Sequence, residues 1–222
     1  MDFDLAQIDQ LLTTTRAVRK RLDLTRPVPR QVVLDCLDLA LQAPTGGNVQ
    51  RWRWMVVDDP GKRRGLADLY RRRWDMYIVE RRQATPDTAM TPDLERIVDS
   101  STYLAEHLHE VPVHVIPCAL DRLPGDTPQG EVAGYYGSII PAAWSFMLAL
   151  RSRGLGSAWT TLHLAYEDEA ADLLEIPRTV TQIALLPVAY TIGTDFRPGA
   201  RRPATDVAYF NEWQARSGGA RA

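Results

Sequence analysis

Residues 43–52 read APTGGNVQRW and connect the clearest amphipathic helix of the chain to its first candidate strand. Before this stretch, apolar residues recur at helical spacing and form one stripe that would face a core; they are Val33, Cys36, Leu37, Ala40 and Leu41. Pro44 and the pair Gly46-Gly47 end the helix, and residues 52–57 then have the composition of a strand. The glycines would let the backbone N–H groups of this polar loop approach a ligand closely.

Arginines form two clusters on either side of this loop. Arg16 and Arg19 lie in the N-terminal segment, and Arg201 and Arg202 lie near the C-terminus. A guanidinium group is planar, always charged and able to bind bidentately, so it suits phosphate oxygens. Each cluster alone is most simply a solvated surface. Together with the glycine-rich loop, the two clusters indicate an anion site with a planar, hydrogen-bonding ligand beside it.

The composition is that of an ordinary globular chain. Its 222 residues are 45% hydrophobic and 24% charged, which is enough to bury a core in one domain. The net charge of −2 gives no electrostatic reason to expect a nucleic acid or a membrane surface as a partner. The acidic N-terminus and the absence of long apolar runs argue against a signal peptide and a membrane span. Cys36 and Cys118 lie in apolar segments and are expected to be buried thiols in a cytoplasmic protein.

The remaining pattern alternates helices and strands without an internal repeat or a dividing linker. We expect helices over residues 4–14, 93–109, 135–153 and 168–174, and extended segments over residues 111–119, 157–164 and 182–192. This order predicts a single α+β domain over residues 1–216, with helices on both faces of a small sheet. We expect the last residues, 217–222, to form a disordered tail.

Residues 62–97 are helical in tendency but polar. Over residues 62–82 there are eight basic and three acidic side chains. The simplest interpretation is a solvated helical face. The alternative is a helical cover over a ligand, which would attract anionic molecules to the site.

The sequence contains no obvious protein nucleophile or metal site. The run Gly154-Leu155-Gly156 follows a helix, and Trp159 replaces the third glycine of a dinucleotide-binding motif. The four histidines have none of the spacings of a metal site, and Cys36 lies on an apolar helix stripe. An enzyme with this sequence would therefore depend on a bound organic cofactor for its reactive centre.

The motifs and their order resemble those of the FMN-dependent nitroreductase family. Members carry an Arg-Ser-x-Arg segment, similar to RAVR at residues 16–19, and a loop of the form Ala-Pro-Ser-Gly-Gly-Asn-x-Gln-Pro-Trp, similar to residues 43–52. A later segment, RGLGSAWTTL at residues 153–162, resembles the family's Arg-Gly-Leu-Gly-Ser-x-Trp. The C-terminal Arg-Arg-Pro and Asn-x-Trp motifs are matched by residues 201–203 and 211–213.

This resemblance covers residues 8–213, and the variant at residues 105–113 is similar to actinobacterial members in particular. It implies an α+β fold in which a mixed β-sheet is flanked by helices and an extended C-terminal arm wraps a dimer partner. The family is a homodimer with two FMN sites at the interface.

For the cofactor site, the resemblance implies three groups of residues. The FMN phosphate would be held by Arg16, Ala17, Arg19 and either Arg201 or Arg202. The flavin and ribityl chain would be bordered, from the partner subunit, by Pro44, Thr45, Gly46 and Asn48. One face of the ring would lie along Thr160, Thr161 and Leu162. A backbone N–H, assigned here to Thr161, would lie near flavin N5 and could stabilise negative charge there.

The implied activity is that of an FMN-dependent oxidoreductase. It would use NAD(P)H to reduce nitroaromatic, quinone or related acceptors by a ping-pong hydride transfer through flavin N5. Two alternatives stay open: a low-turnover flavin-binding protein for storage or sensing, and a specialised branch such as a reductive dehalogenase. The chain departs from the family pattern at three positions: Thr15 replaces a common arginine, Ala17 the usual serine and Arg51 the usual proline.

Overall fold

The computed structural model describes residues 3–84 and 91–213. In chain order, the helices and strands are α1 (Leu5–Thr14), α2 (Arg30–Ala40), β1 (Trp52–Val57), α3 (Pro60–Ala84), α4 (Pro92–His107), β2 (Val113–Ala119), α5 (Gln129–Gly137), α6 (Ile140–Ser152), β3 (Leu155–Ser157), α7 (Glu167–Leu174), β4 (Thr181–Gln182) and β5 (Leu186–Tyr190). Short 3₁₀ turns lie at Gly46–Asn48, Leu108–Glu110, Leu162–Tyr166 and Ala204–Asp206.

The strands form one sheet in the order β1-β2-β5-β3, and β4 pairs with the end of β2. The paired strands are antiparallel, with Trp52 opposite Ala119 and Leu155 opposite Tyr190. Every residue of the central strand β2 is buried, because both faces of the sheet are covered. Among the described residues, the parallel pairing is limited to an isolated bridge between Ala17 and Ser157.

Helices pack on both faces of this sheet, as the sequence pattern predicted. On one face, α3, α4 and α7 bury Leu66, Leu104 and Leu174 against sheet residues that include Ile116. On the other face, α2 and α6 bury residues such as Cys36 and Phe146 against Val113, Val115 and Val188. Side chains of successive β2 residues thus alternate between two cores, as expected for a strand. Cys36 and Cys118 are both buried and free, as the sequence predicted.

Three predicted elements differ from the structure. The single helix expected over residues 135–153 is wrong, because the chain breaks between α5 and α6 at Ser138 and Ile139. Pro141 explains the break: it lacks an N–H group and is accommodated only in the first turn of α6. An extended segment was expected over residues 157–164. The strand instead ends at Ser157, and a 3₁₀ turn begins after Thr161. The strand expected over residues 182–192 is divided into β4 and β5.

Helix α3 is a core helix along its first half, although the sequence suggested that residues 62–97 form a cover. It buries Leu66, Tyr70 and Trp74 in the core, and a methyl group on Gly65 would lie 2.7 Å from Leu173 of α7. The part of α3 that contains these residues belongs to the core, and a cover over a ligand stays a prediction for the rest of the segment.

The basic side chains of residues 62–82 are largely occupied within the chain. Arg71 donates hydrogen bonds to the carbonyl oxygens of Ala105 and Glu106, and Arg72 forms a bidentate ion pair with Glu169. Among the cations whose side chains the structure describes, six have such a partner: Lys62, Arg63, Arg71, Arg72, Arg73 and Arg81. Their contacts favour a structural role over a role in attracting anions.

The C-terminal segment lies apart from the two cores. Phe210 is 85% exposed and Trp213 is 86% exposed, so the apolar residues expected to anchor an arm are not buried within their own chain. The predicted disordered tail at residues 217–222 lies outside the described residues. Within the described part of the chain, none of the helices combines the length and the apolar character that crossing a membrane would require.

Candidate functional site

The N-terminal arginine segment is fixed against the edge strand β3. The backbone N–H of Val18 donates a hydrogen bond to the carbonyl oxygen of Ser157 at 2.8 Å, and the side chain of Val18 is buried. Gly156 permits this close contact, because a methyl group there would lie 2.9 Å from Cβ of Val18. The segment therefore carries Arg16 and Arg19 on a backbone that the sheet holds in place.

Arginines from both ends of the chain line one cavity of about 500 Å³. Its lining includes Arg16, Ala17 and Arg19 from the N-terminal segment and Arg201 from the C-terminal segment. The guanidinium group of Arg16 donates a 3.2 Å hydrogen bond to the carbonyl oxygen of Arg197, which ties the two segments together. Three of the four arginines predicted for the phosphate site thus meet. Arg202 is exposed and does not line this cavity.

Gly199 allows the backbone to pass between two of these guanidinium groups. A methyl group on Gly199 would lie 2.9 Å from Nη1 of Arg201 and 3.5 Å from Cζ of Arg16. A side chain at position 199 would therefore displace the guanidinium group of Arg201. The sequence pattern assigned Gly199 no role, and its position two residues before Arg201 was the available signal.

Helix α4 contributes a third side of the arginine cavity, which the sequence analysis also missed. Its lining residues are Asp93, Arg96, Ile97 and Ser100. They recur at intervals of three and four residues, so they share one face of the helix. The pattern was present in the sequence, but polar residues at this spacing also occur on a solvated helix.

The glycine-rich loop forms a separate cavity within the same chain. Gly47 adopts a left-handed backbone conformation with φ of 58°, which suits glycine, and the N–H of Gly46 donates a 3.0 Å hydrogen bond to Oγ of Ser138. Thr45 and Gly46 line an apolar cavity of about 250 Å³ together with Trp52 and Tyr135. Pro44 and Asn48 are exposed beside it. These four predicted site residues do not line the arginine cavity of their own chain.

The segment after β3 presents one backbone N–H group to the surface. Thr160 is buried and exchanges backbone hydrogen bonds of 3.2 and 2.8 Å with Leu185. Thr161 is exposed, and among the described residues its N–H has no hydrogen-bond acceptor. Leu162 begins the 3₁₀ turn and packs against the core. Thr161 is thus held from both sides while its own N–H remains available to a ligand.

An apolar surface adjoins the arginine cavity at Ala17. Ala17, Ile140, Trp144, Met147 and Trp159 line a second cavity of about 520 Å³. Ile140 and Trp144 are each 42% exposed, although other apolar residues of α6, such as Phe146 and Leu150, are fully buried. The apolar residues on most sides of α6 are therefore shared between the core and an exposed surface.

The three residues that differ from the family pattern lie in different parts of the structure. The hydroxyl of Thr15 donates a 2.6 Å hydrogen bond to the carbonyl oxygen of Leu11 at the end of α1. Ala17 lies at the junction of the two cavities. Arg51 forms an ion pair with Asp121 and lines the glycine-loop cavity, away from the other arginines.

Buried polar residues lie directly behind the segment that carries Thr161. His163 is fully buried, and burial lowers its pKa to about 4, so its ring is neutral at physiological pH. Burial alone would raise the pKa of Glu167, but hydrogen bonds from Arg122 and Gln182 outweigh it and hold that pKa below its usual value. Within residues 3–84 and 91–213, no three His, Cys, Asp or Glu side chains come together to hold a metal ion.

Comparison with known sequences identifies the family. The sequence model of the nitroreductase family matches residues 12–190. Iodotyrosine deiodinase 1 of Rattus norvegicus is 24% identical over 200 residues, which are 89% of this chain and 66% of that protein. The chain thus spans slightly less than two thirds of the length of this relative.

Comparison with solved structures gives the same fold. Oxidized iodotyrosine deiodinase bound to FMN and 3-iodo-L-tyrosine matches with a TM-score of 0.65 at 21% identity, over 94% of this chain and 97% of that chain. Nitroreductase A from Vibrio parahaemolyticus matches with a TM-score of 0.67 at 16% identity, over 94% of this chain and 77% of that chain. These likenesses confirm the predicted nitroreductase-like α+β fold. With this fold and the family match over residues 12–190, the chain belongs to the nitroreductase family.

Proposed function

We propose that this chain is an FMN-dependent oxidoreductase that uses NAD(P)H to reduce a nitroaromatic, a quinone or a related small acceptor. The observation that carries the proposal is the meeting of Arg16, Arg19 and Arg201 in one cavity. These residues come from opposite ends of the sequence, so their convergence requires the fold. Solvated surface arginines would have no reason to converge.

The donor set of the arginine cavity fits the phosphate of FMN. Three guanidinium groups offer planar, permanently charged donors, and Gly199 brings the backbone between two of them. Ala17 lacks the hydroxyl that most family members provide, which would cost about 1 kcal/mol of binding free energy for one hydrogen bond. The remaining cations are sufficient to hold a phosphate.

The residues after β3 suit the flavin ring. When bound, FMN supplies the redox chemistry, since it accepts a hydride from NAD(P)H and passes two electrons to the acceptor. Thr160 and Leu162 would hold the backbone of Thr161 against the ring, through the hydrogen bonds with Leu185 and the packing on the core. The free N–H of Thr161 would then stabilise negative charge on the ring without reorganisation. The role of these side chains is to position and polarise, not to react.

We further propose that the site is completed by a second copy of the chain. The loop residues Thr45 and Gly46 line a different cavity from Arg16, Arg19 and Arg201, so one chain alone does not bring both groups to the same ligand. The exposed Ile140 and Trp144 and the exposed C-terminal Phe210 and Trp213 offer apolar surface for such contact. A single domain over residues 1–216 and a cytoplasmic location remain predictions.

Reductive dehalogenation is the second candidate activity. It is favoured by the likeness to iodotyrosine deiodinase 1 over most of the chain. The contacts in the described part of residues 62–97 do not discriminate between this activity and the reduction of nitroaromatics or quinones, so an assay has to decide.

An anaerobic assay distinguishes these activities. FMN-loaded protein is mixed with NADH or NADPH, and the flavin absorbance is followed before and after a nitroaromatic, a quinone or 3-iodo-L-tyrosine is added. We expect bleaching by a reduced nicotinamide and rapid recovery with the nitroaromatic or the quinone. Recovery with 3-iodo-L-tyrosine and release of iodide would favour the dehalogenase. Bound FMN that NAD(P)H does not bleach would favour a binding protein.

A further inference from the structure

We propose that helix α4 supplies an additional cation, Arg96, to the phosphate of FMN, and that Asp93 competes with the phosphate for this cation. The inference rests on the proposed function and names a further part of the same site. It concerns residues 93–100 of α4, the first of which lie within the predicted cover and none of which belongs to a family motif. FMN affinity would then depend on whether Arg96 pairs with Asp93 or with the phosphate.

The geometry of the arginine cavity is the first support. Asp93, Arg96 and Ser100 line the cavity that also contains Arg16 and Arg19. The spacing of three and four residues turns one face of α4 toward the cavity. A ligand held by the N-terminal arginines would therefore lie within the same cavity as Arg96.

Two contacts hold α4 beside the arginine segment. Nζ of Lys20 lies 2.5 Å from Oδ2 of Asp99, and Nη1 of Arg19 donates a long hydrogen bond of 3.5 Å to Oγ of Ser100. These contacts involve consecutive residues on both segments. They place Asp99 and Ser100 beside the arginine segment, and Arg96 lies one turn before Ser100 on the face of α4 that lines the cavity.

The charge balance of the cavity is the second support. Arg96 forms an ion pair with Asp93, and their side chains are 74% and 76% exposed. Such an exposed pair contributes little to stability, so Arg96 can leave Asp93 at a small cost. A phosphate monoester carries nearly two negative charges at neutral pH and accepts short, charge-assisted hydrogen bonds. The phosphate is therefore a stronger partner for Arg96 than Asp93 is.

Substitution of Arg96 and substitution of Asp93 should change FMN affinity in opposite directions. Removal of the guanidinium group at Arg96 would delete a phosphate ligand. Replacement of Asp93 by Asn would free Arg96 and remove a carboxylate that repels the phosphate. A merely structural role of the pair would give effects of the same sign, because either substitution breaks the same contact.

The test compares FMN with riboflavin, which has the same ring and ribityl chain without the phosphate. Both flavins are titrated into the full-length chain freed of flavin, and binding is followed by flavin fluorescence. We expect Arg96→Ala to weaken FMN binding about tenfold, the loss of one charge-assisted hydrogen bond, and to leave riboflavin binding unchanged. Asp93→Asn should tighten FMN binding about threefold, again without an effect on riboflavin.

Two matched controls separate the cavity from the general surface. Glu95→Gln removes an exposed carboxylate from the same helix that does not line the cavity. Arg30→Ala removes an arginine that is ion-paired with Asp58 on α2, away from the site. Neither control should change FMN affinity by more than about twofold.

Several outcomes would overturn the proposal. An Arg96→Ala chain with unchanged FMN affinity would show that Arg96 is not a phosphate ligand. An equal loss of FMN and riboflavin would assign Arg96 to the fold or to the ring. A loss of FMN affinity in Asp93→Asn would show that the pair is structural. A wild-type chain that binds neither flavin would overturn the proposed function itself, and failure of the α4 variants alone would not.

Discussion

The backbone N–H of Val18 and the carbonyl oxygen of Ser157 are joined by a 2.8 Å hydrogen bond. This bond connects the arginine segment to the edge strand whose chain continues to Thr161. The arginine segment is also held on the sheet by the N–H of Asp23 on the carbonyl oxygen of Tyr190 and by the N–H of Ile192 on that of Arg21. The bond at Val18 is the one that directly joins the proposed phosphate end to the strand leading to the flavin end. A disturbance at this point should affect both the stability of the fold and the binding of the cofactor.

Gly156→Ala tests this contact. The added methyl group would lie 2.8 Å from Cγ2 of Thr191 and 2.9 Å from Cβ of Val18, so the arginine segment would have to shift. We expect a loss of roughly 1–3 kcal/mol in the free energy of unfolding, together with weaker FMN binding. Gly130→Ala is the control, since nothing lies within 4 Å of the added methyl group. Equal effects of the two substitutions on thermal unfolding and FMN affinity would contradict this interpretation.

Arg16→Ala should weaken FMN binding far more than Arg51→Ala. Arg16 lines the arginine cavity, and Arg51 is ion-paired with Asp121 beside the glycine-rich loop. Loss of a charge-assisted hydrogen bond costs roughly 1.5–3 kcal/mol, which is about ten- to a hundredfold in affinity. Equilibrium titration of both variants with FMN measures the difference. Similar affinities would mean that the phosphate site is assigned to the wrong residues.

Trp144→Glu should impair the association of two chains and, with it, the retention of FMN. Trp144 lies on the exposed apolar surface beside Ala17, and a buried charge at an interface without a partner is strongly unfavourable. Light scattering and the ratio of flavin to protein report the two effects. Val79→Glu introduces the same charge at an exposed apolar residue of α3 and should change neither. A Trp144→Glu dimer with full FMN content would refute the proposed interface.

Stability should decrease between pH 6.5 and pH 5 because of two buried histidines. Burial lowers the pKa of His114 and of His163 to about 4, below the ordinary value of 6.5. Over this range the unfolded chain binds protons that the folded chain does not bind. The free energy of unfolding should therefore fall by up to about 1.4 kcal/mol per pH unit for each histidine as the pH decreases.

This pH range separates the histidines from the carboxylates. The pKa of Glu167 is held below its usual value, so its contribution to stability is lost only at lower pH. Urea unfolding at fixed protein concentration measures the slope, and His163→Leu should reduce the slope by about half. A wild-type chain that is equally stable at pH 7 and pH 5 would show that the two rings are not buried in neutral form.

The sequence predicted the parts of the site that are built from local motifs. α2 ends at Ala40, a few residues before Pro44 and Gly46-Gly47, and Arg16 and Arg19 line one cavity, whose role as a phosphate site stays a prediction. The convergence of Arg201 with them was inferred from the chemistry of arginine and was implied by the family resemblance. No periodicity in the sequence relates residues so far apart.

Other features depend on tertiary contacts that the sequence pattern does not contain. The polar face of α4 could not be distinguished from the face of a solvated helix, because charged residues such as Asp93 and Arg96 occur both on a solvated surface and on the wall of a cavity. The extended segment expected after Ser157 was wrong, since Thr160 pairs with Leu185 through a single bridge and the chain then turns. The exposure of Trp144 could not be predicted, because an interface residue and a core residue have the same apolar pattern.

A crystal structure of the FMN-loaded chain would show the proposed site directly. We expect a dimer in which the phosphate of each FMN contacts Arg16, Arg19 and Arg201, and the N–H of Thr161 lies within hydrogen-bond distance of flavin N5. We also expect the loop containing Gly46 and Asn48 to reach each flavin from the other chain. A flavin phosphate held away from these arginines, or a site completed within a single chain, would show that the cofactor site is assigned wrongly.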